Sequence, residues 1–207
     1  MPTVKEHGRE RSEATRRKII QAAEAEFLVK GFHGATVSSI AERAGVAAQT
    51  VYFVFHNKAA LISAVIDNAV LGEESPTVPQ DSAWWAAGAA ESRPDAALRI
   101  IIRGAAPIFA RAAPISEILR AAALTDDEVR LTYESHQNLR YKGFREVIEM
   151  VATKGTLKEG LDVRSATDIF MTIFGESVYH VMTIERGWTR ERFIDWLCGA
   201  LPELLLG

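Results

Sequence analysis

The chain lacks most of what would make it secreted, membrane-bound or catalytic. It has one cysteine, Cys198, in 207 residues, so no internal disulfide framework is possible and the composition suits a reducing cytoplasm. Cys198 lies in an apolar helical run and reads as a small core residue. No run of eighteen apolar residues occurs, which argues against a membrane-spanning helix. The N-terminal stretch MPTVKEHGRERSEATRRK carries basic side chains without the apolar segment a secretory signal needs. Phosphate-cradling glycine loops, zinc spacing and a nucleophile with a base and an acid are all missing. Glu176 and His180, four residues apart on one helix, could share a metal. A hydrogen-bonded core or pocket histidine is the stronger reading, so no metal, cofactor or catalytic residue is assigned. Strand-period alternation, internal repeats and low-complexity tracts are absent too, which leaves an all-α chain.

What is present is apolar periodicity at helical spacing. The chain is 48% hydrophobic and 25% charged, as expected of a globular protein with a sizeable core. Its net charge of −3 conceals an asymmetry. Residues 1–58 hold nine Lys/Arg against six Asp/Glu, and the rest hold fifteen against twenty-one. The modestly basic part coincides with the most informative stretch, TVSSIAERAGVAAQTVYFVFHNK, from Thr36 to Lys58. Val37, Ile40, Ala41 and Ala44 form one apolar face behind Thr36, a suitable N-cap. Gly45 can take the positive φ of a helix stop. A second short helix starts near Ala47, with Val51, Tyr52 and Phe55 placed to anchor its buried side. Ala48, Gln49, Thr50, Phe53 and Val54 remain for its open side. Two short helices around a glycine turn, the second presenting small and polar residues, make a helix-turn-helix.

These residues resemble the DNA-binding domain of the TetR family of transcriptional regulators. The resemblance is carried by Gly31-Phe32, Thr36, Ile40-Ala41, Ala44-Gly45-Val46, Thr50, Tyr52, Phe55 and Asn57-Lys58 with the following Ala-Ala-Leu61, and covers residues 12–66. It implies an all-α homodimeric repressor. Residues 1–58 would form an N-terminal DNA-binding domain with its arm. Residues 59–207 would form a larger effector-binding and dimerisation domain, and a helix over residues 58–71 would link the two. The implied partners are a pseudo-palindromic double-stranded operator and a small-molecule effector that shifts the spacing of the reading heads and releases DNA. Thr50, Tyr52, His56 and Lys58 match the family's phosphate-contacting positions. Ala48, Gln49 and Phe53 are placed to meet base edges, and Thr36 joins the contact set. Arg16 and Arg17, like Arg9 and Arg11 before them, could reach phosphates or a minor groove. A regulator whose second domain binds a protein, and an all-helical enzyme with a vestigial motif, are the other classes considered.

In chain order, residues 1–11 are expected to be disordered without DNA, and a bracing helix spans Ser12 to Lys30 and stops at Gly31. Asn57 caps the linking helix. Residues 72–93 read as an irregular segment punctuated by Gly72, Pro76, Pro79 and Gly88, with Trp84-Trp85 covering a core or cavity. Helices follow over Asp95–Arg111, with Pro107 as a kink, and over Ile115–Leu124. A long one begins at Asp126 behind Thr125 and runs to about Lys154. The last two helices, Ala166–Arg186 and Thr189–Leu206, are apolar on more than one face. Pairing them with their copies would bury Val178, Met182, Phe193, Leu197, Leu201 and Leu204 in a four-helix dimer interface. Pro202 puts the last turn in doubt.

The long helix carries Tyr133, His136 and Arg140 on a stripe that points inward. Buried polar groups need partners, so these residues line a pocket or form an internal network. The pocket reading takes Trp85, Phe109, Leu119, Tyr133, His136, Arg140, Phe170, Phe174 and Tyr179 as lining, suited to an apolar molecule with one polar or anionic end.

Overall fold

The structure is a computed structural model that describes residues 4–72 and 76–207, with side chains from residue 9 onward. Among the described residues it is all-helical, with a single isolated bridge pairing Leu157 and Leu206. In order the helices are α1 Val4–Gly34, α2 Val37–Ala44, α3 Ala48–Phe55, α4 Lys58–Leu71, α5 Ala83–Ala90, α6 Pro94–Ala122, α7 Asp127–Ala152, α8 Val163–Ile173, α9 Glu176–His180 and α10 Arg190–Leu205. A 3₁₀ turn, Pro79–Asp81, precedes α5, and α9 runs on into a π-helical turn, Val181–Glu185.

The chain packs as two units that do not follow chain order. The first holds residues 1–76 and 115–133, the second 77–114 and 134–207. In the first unit Ile19, Phe27, Ile40, Val51, Phe55, Leu61, Ile62 and Val65 make a core that excludes water almost completely. In the second, Leu98, Ile101, Ile102, Phe109, Ile148, Phe170, Phe174, Phe193, Leu197, Leu201 and Leu205 form a single cluster.

Several expected boundaries shift, each for a physical reason. Helix α1 begins at Val4, so residues 4–11 are helical and not a disordered arm; residues 1–3 lie outside the described residues. The expected stop at Gly31 appears as φ 67°, ψ 177° within that span, followed by one more turn. Residues 83–90 are helical, capped by the Ser82 hydroxyl on the Trp85 amide at 3.4 Å. Residues 73–75 of that segment lie outside the described residues. Gly88 is no breaker there: a Cβ on it would stand 2.7 Å from Ile101 Cδ1, so it lets α5 approach α6.

Proline also misleads. Helix α6 runs through both Pro107 and Pro114, joining two expected helices. A helical proline costs about 3 kcal/mol. Ala106, Phe109, Ala112, Ala113, Ile115 and Leu119 are buried around these two, and each large side chain contributes about 1.5–3 kcal/mol on burial. Helix α10 likewise continues through Pro202 to Leu205. The cap of α7 is Asp126, whose carboxylate accepts from the amides of Glu128 and Val129 at 3.0 and 3.1 Å. Thr125, expected in that role, instead donates its hydroxyl to Ala122 O. The expected helix Ala166–Arg186 starts earlier, behind an Asp162–Ser165 capping box, and breaks at Phe174–Gly175. A Cβ at Gly175 would lie 2.8 Å from Thr172 O and 2.9 Å from Met171 O, so only glycine fits this break.

Candidate nucleic-acid interface

Helix α2 is fastened at both ends. Thr36 Oγ1 accepts from Ser39 N at 3.1 Å and Ser39 Oγ accepts from Thr36 N at 3.3 Å, a reciprocal capping box. Gly45, at φ 68° and ψ 36°, closes the other end, with Val46 N donating to Ala41 O at 3.0 Å. The buried Glu26 on α1, 3% exposed, accepts from Lys30 Nζ at 2.6 Å and from Arg43 Nε at 2.9 Å. Hydrogen bonds from Lys30, Ser39 and Arg43 hold its carboxyl well below the usual range, at about 2. One carboxylate thus ties the C-terminal turn of α2 to α1 through Arg43, a link that sequence periodicity did not reveal.

Helix α3 is anchored by Val51 and Phe55 alone. Tyr52, expected beside them, is 52% exposed, because it lies one position round the helix from Val51 and faces out. Phe53 is 83% exposed and Gln49 is exposed as well, with Ala48, Thr50 and Val54 half-buried. The first turn lacks a side-chain cap, since Ala47 has no oxygen to offer. An aromatic ring, a phenol and an amide therefore stand together on the open side of a helix whose other side is locked into a core.

The predicted cations take two forms. Arg17 is exposed. Arg16 is exposed as well, with its guanidinium 4.5 Å over the Phe55 ring. Lys58 is partly buried: its ammonium donates to Phe32 O at 2.7 Å and Ala35 O at 3.1 Å, above the Phe32 ring. Burial lowers its pKa, against the opposing pull of Asp126. His56 ends α3 at φ 63°, ψ −50°, with Asn57 N donating to Phe55 O at 2.7 Å; this is a strained γ-turn on a non-glycine residue.

The predicted effector residues divide between the units. Leu119, buried, and Tyr133, half-buried, belong to the first; Trp85, Phe109, His136, Arg140, Phe170, Phe174 and Tyr179 belong to the second. Within the second, Phe109 stacks on Phe174 at 4.1 Å, and Phe144 meets Phe109, Phe170 and Phe174. Tyr179 packs edge-on against Phe193. Arg140 pairs with the buried carboxylate of Glu176, donates to Gln137 Oε1 at 3.1 Å and lies 5.4 Å from the Phe144 ring. The sequence reading missed Glu176 as this partner; an acid on an otherwise apolar helical face was the signal. A cleft of about 310 Å³ in this unit is lined by Arg103, Ala106, Pro107, Arg190, Glu191 and Ile194, none of them predicted.

Half of the predicted dimer residues need correction. Phe193, Leu197 and Leu201 have no exposed surface, because they fill their own unit's core. Val178 and Met182 are half-buried, and Leu204 is exposed. The apolar side chains left outward are Val181, Ile184 at 67% exposure, Trp196 and Leu204. Among the described residues no three His, Cys, Asp or Glu side chains cluster as metal ligands, and no helix is long and apolar enough to cross a membrane.

Comparison with known proteins places this geometry. The family model for "Bacterial regulatory proteins, tetR family" matches residues 19–65. The HTH-type transcriptional regulator YdeS of Bacillus subtilis (strain 168) is 30% identical over 183 residues, 84% of this chain and 82% of that protein. NalD of Pseudomonas aeruginosa, described as the secondary repressor of the MexAB-OprM multidrug efflux pump, aligns at a TM-score of 0.70 with 21% identity, covering 94% of this chain and 98% of its own. FadR of Bacillus subtilis, solved with stearoyl-CoA, aligns at 0.67 with 20% identity, covering 90% and 97%.

Proposed function

The chain belongs to the TetR family of bacterial transcriptional regulators, and on that premise we propose that it is a cytoplasmic homodimeric repressor released from a pseudo-palindromic operator by a small molecule. The observation that carries this reading is the open face of α3, where Gln49, Tyr52 and Phe53 stand exposed on a helix locked by Val51 and Phe55. Such a helix fits the major groove. Gln49 is suited to adenine, and Ala48, Phe53 and Val54 to thymine methyls. Thr36, Thr50, Tyr52, His56, Lys58, Arg16 and Arg17 hold phosphates and set the register. Residues 1–58 carry this task, and residues 59–207 carry effector binding and dimerisation.

Dimerisation uses the outward apolar side chains of the last helices, Val181, Ile184, Trp196 and Leu204, with Val178 and Met182 at the margin. The effector site lies in the second unit, around Arg140, Glu176 and the Phe109–Phe144–Phe170–Phe174 rings, and it takes in Trp85, His136 and Tyr179 of the same unit. Rings around one ion pair suit a largely apolar molecule with a charged or polar end. The repressor role of NalD and the stearoyl-CoA bound by FadR support a repressor with an apolar effector. The test selects duplexes from a random library with the wild-type chain. A two-fold symmetric sequence should emerge, and Gln49→Ala should relax preference at one base position in each half-site by about 1–3 kcal/mol. A chain that enriches no sequence would refute the reading.

A further inference from the structure

The first unit includes a part of the chain that sequence order assigns elsewhere. Glu128, in the first turn of α7, accepts a hydrogen bond from Asn57 Nδ2. Asn57 is the N-cap of α4, and its Oδ1 accepts from Ala60 N at 2.7 Å. The same side chain thus gives its oxygen to the helix and its nitrogen to the acid. A flipped amide would set NH₂ against the Ala60 N–H and C=O against the carboxylate, so the two contacts enforce one orientation. Asn57 follows directly on His56, the strained residue that ends α3. A second hydrogen bond ties the start of α7 to α1 instead: His33 Nε2 and Thr125 Oγ1 are 3.1 Å apart.

From this geometry we infer that Glu128 is a positioning residue for the DNA-reading head, acting through Asn57 at the α3–α4 junction. It touches no DNA. It fixes the cap residue, and with it the γ-turn that joins α3 to α4. The bond is solvent-exposed, and such bonds contribute little to global stability. Its effect should therefore appear in DNA affinity more than in melting. The inference rests on DNA reading by α3.

The test uses the full chain and a duplex enriched from a random library by the wild-type protein. Asn57→Asp keeps a good N-cap but sets a carboxylate against Glu128. Its affinity should fall about tenfold, within the range that contacting polar pairs show in double-mutant cycles, with the melting temperature nearly unchanged. Adding Glu128→Gln restores a donor–acceptor pair in reverse and should return affinity to within about threefold of wild type. Asn57→Asp with Asp127→Asn restores the same net charge at a neighbouring carboxylate that is 95% exposed, and should not rescue. Wild-type affinity in Asn57→Asp, or equal rescue by Asp127→Asn, would overturn the inference. Parallel losses of melting temperature and affinity would reduce Glu128 to a structural contact and overturn it as well. A wild-type chain that enriches no duplex would instead sink the DNA-reading function, a different result from wild-type-like binding by the variant.

Discussion

Lys58→Met removes one charge and two hydrogen bonds while keeping most of the side-chain stem. The ammonium donates to Phe32 O and Ala35 O, carbonyls at the end of α1, and lies 4.3 Å from the Phe32 ring centroid. A hydrogen bond from a charged donor is worth about 1.5–3 kcal/mol and the ring contact about 0.5–1 kcal/mol, and half-burial puts both at their lower ends. Because methionine packs on the ring in place of the lysine stem, the net loss should be about 2–3 kcal/mol. For a chain of this size that lowers Tm by roughly 5–10 °C. An ammonium has three donors, and two are fixed inward, so the third is held in one direction beside the α4 N-terminus. If that donor meets a phosphate, the slope of log affinity against log salt should flatten by about one unit. Thermal unfolding and a salt series on the selected duplex read the two effects separately. An unchanged Tm would refute the tether, and an unchanged slope would refute the phosphate contact.

Three further outcomes follow from the same structure. The Glu26 carboxyl is pulled down to about 2, chiefly by Lys30, with Ser39 and Arg43. Its contribution to stability is therefore complete above its unfolded value near 4.5 and lost as pH falls from there toward 2; Glu26→Gln should flatten acid unfolding in that window, and an identical acid profile would exclude the network. Trp196→Glu should give folded monomers in light scattering at micromolar concentration, whereas Leu197→Asp, one position along, should unfold the second unit because Leu197 has no exposed surface. A dimeric Trp196→Glu variant would remove Trp196 from the interface. Arg140→Met should leave operator binding intact and abolish release by whatever extracted small molecule releases the wild type; normal release would put the effector site elsewhere.

The reading head was legible because its rules are local. Thr36, Gly45 and Asn57 each do what a neighbour within four residues requires, and the sequence shows all three. Tyr52 was misplaced because aromatic character suggested burial, while helical position relative to Val51 and Phe55 decided exposure. The second unit was less legible because its deciding contacts join distant residues. Gly88 looks like a breaker until Ile101 is seen filling the space where a Cβ would stand. Pro107 looks like a kink and Pro114 like a boundary between helices until the burial on either side outweighs the lost hydrogen bonds.

The last two helices show why apolar count alone could not assign the interface. Residues 193, 197 and 201 of α10 share one stripe and face the cluster formed with α6 and α8. Trp196, about 100° round the helix from Leu197, and Leu204, in the last turn of the same stripe, both keep exposed surface, and the sequence cannot say which side chain meets which surface. The break at Phe174–Gly175 resolves the ambiguity upstream, because it resets the helical phase between Phe174, wholly buried, and Val181 and Ile184, which face outward. Read as one unbroken helix, residues 166–186 would spread their apolar side chains around the axis. As two helices meeting at a glycine, each has an inner and an outer side, and the outer side of the second is the surface left to cover.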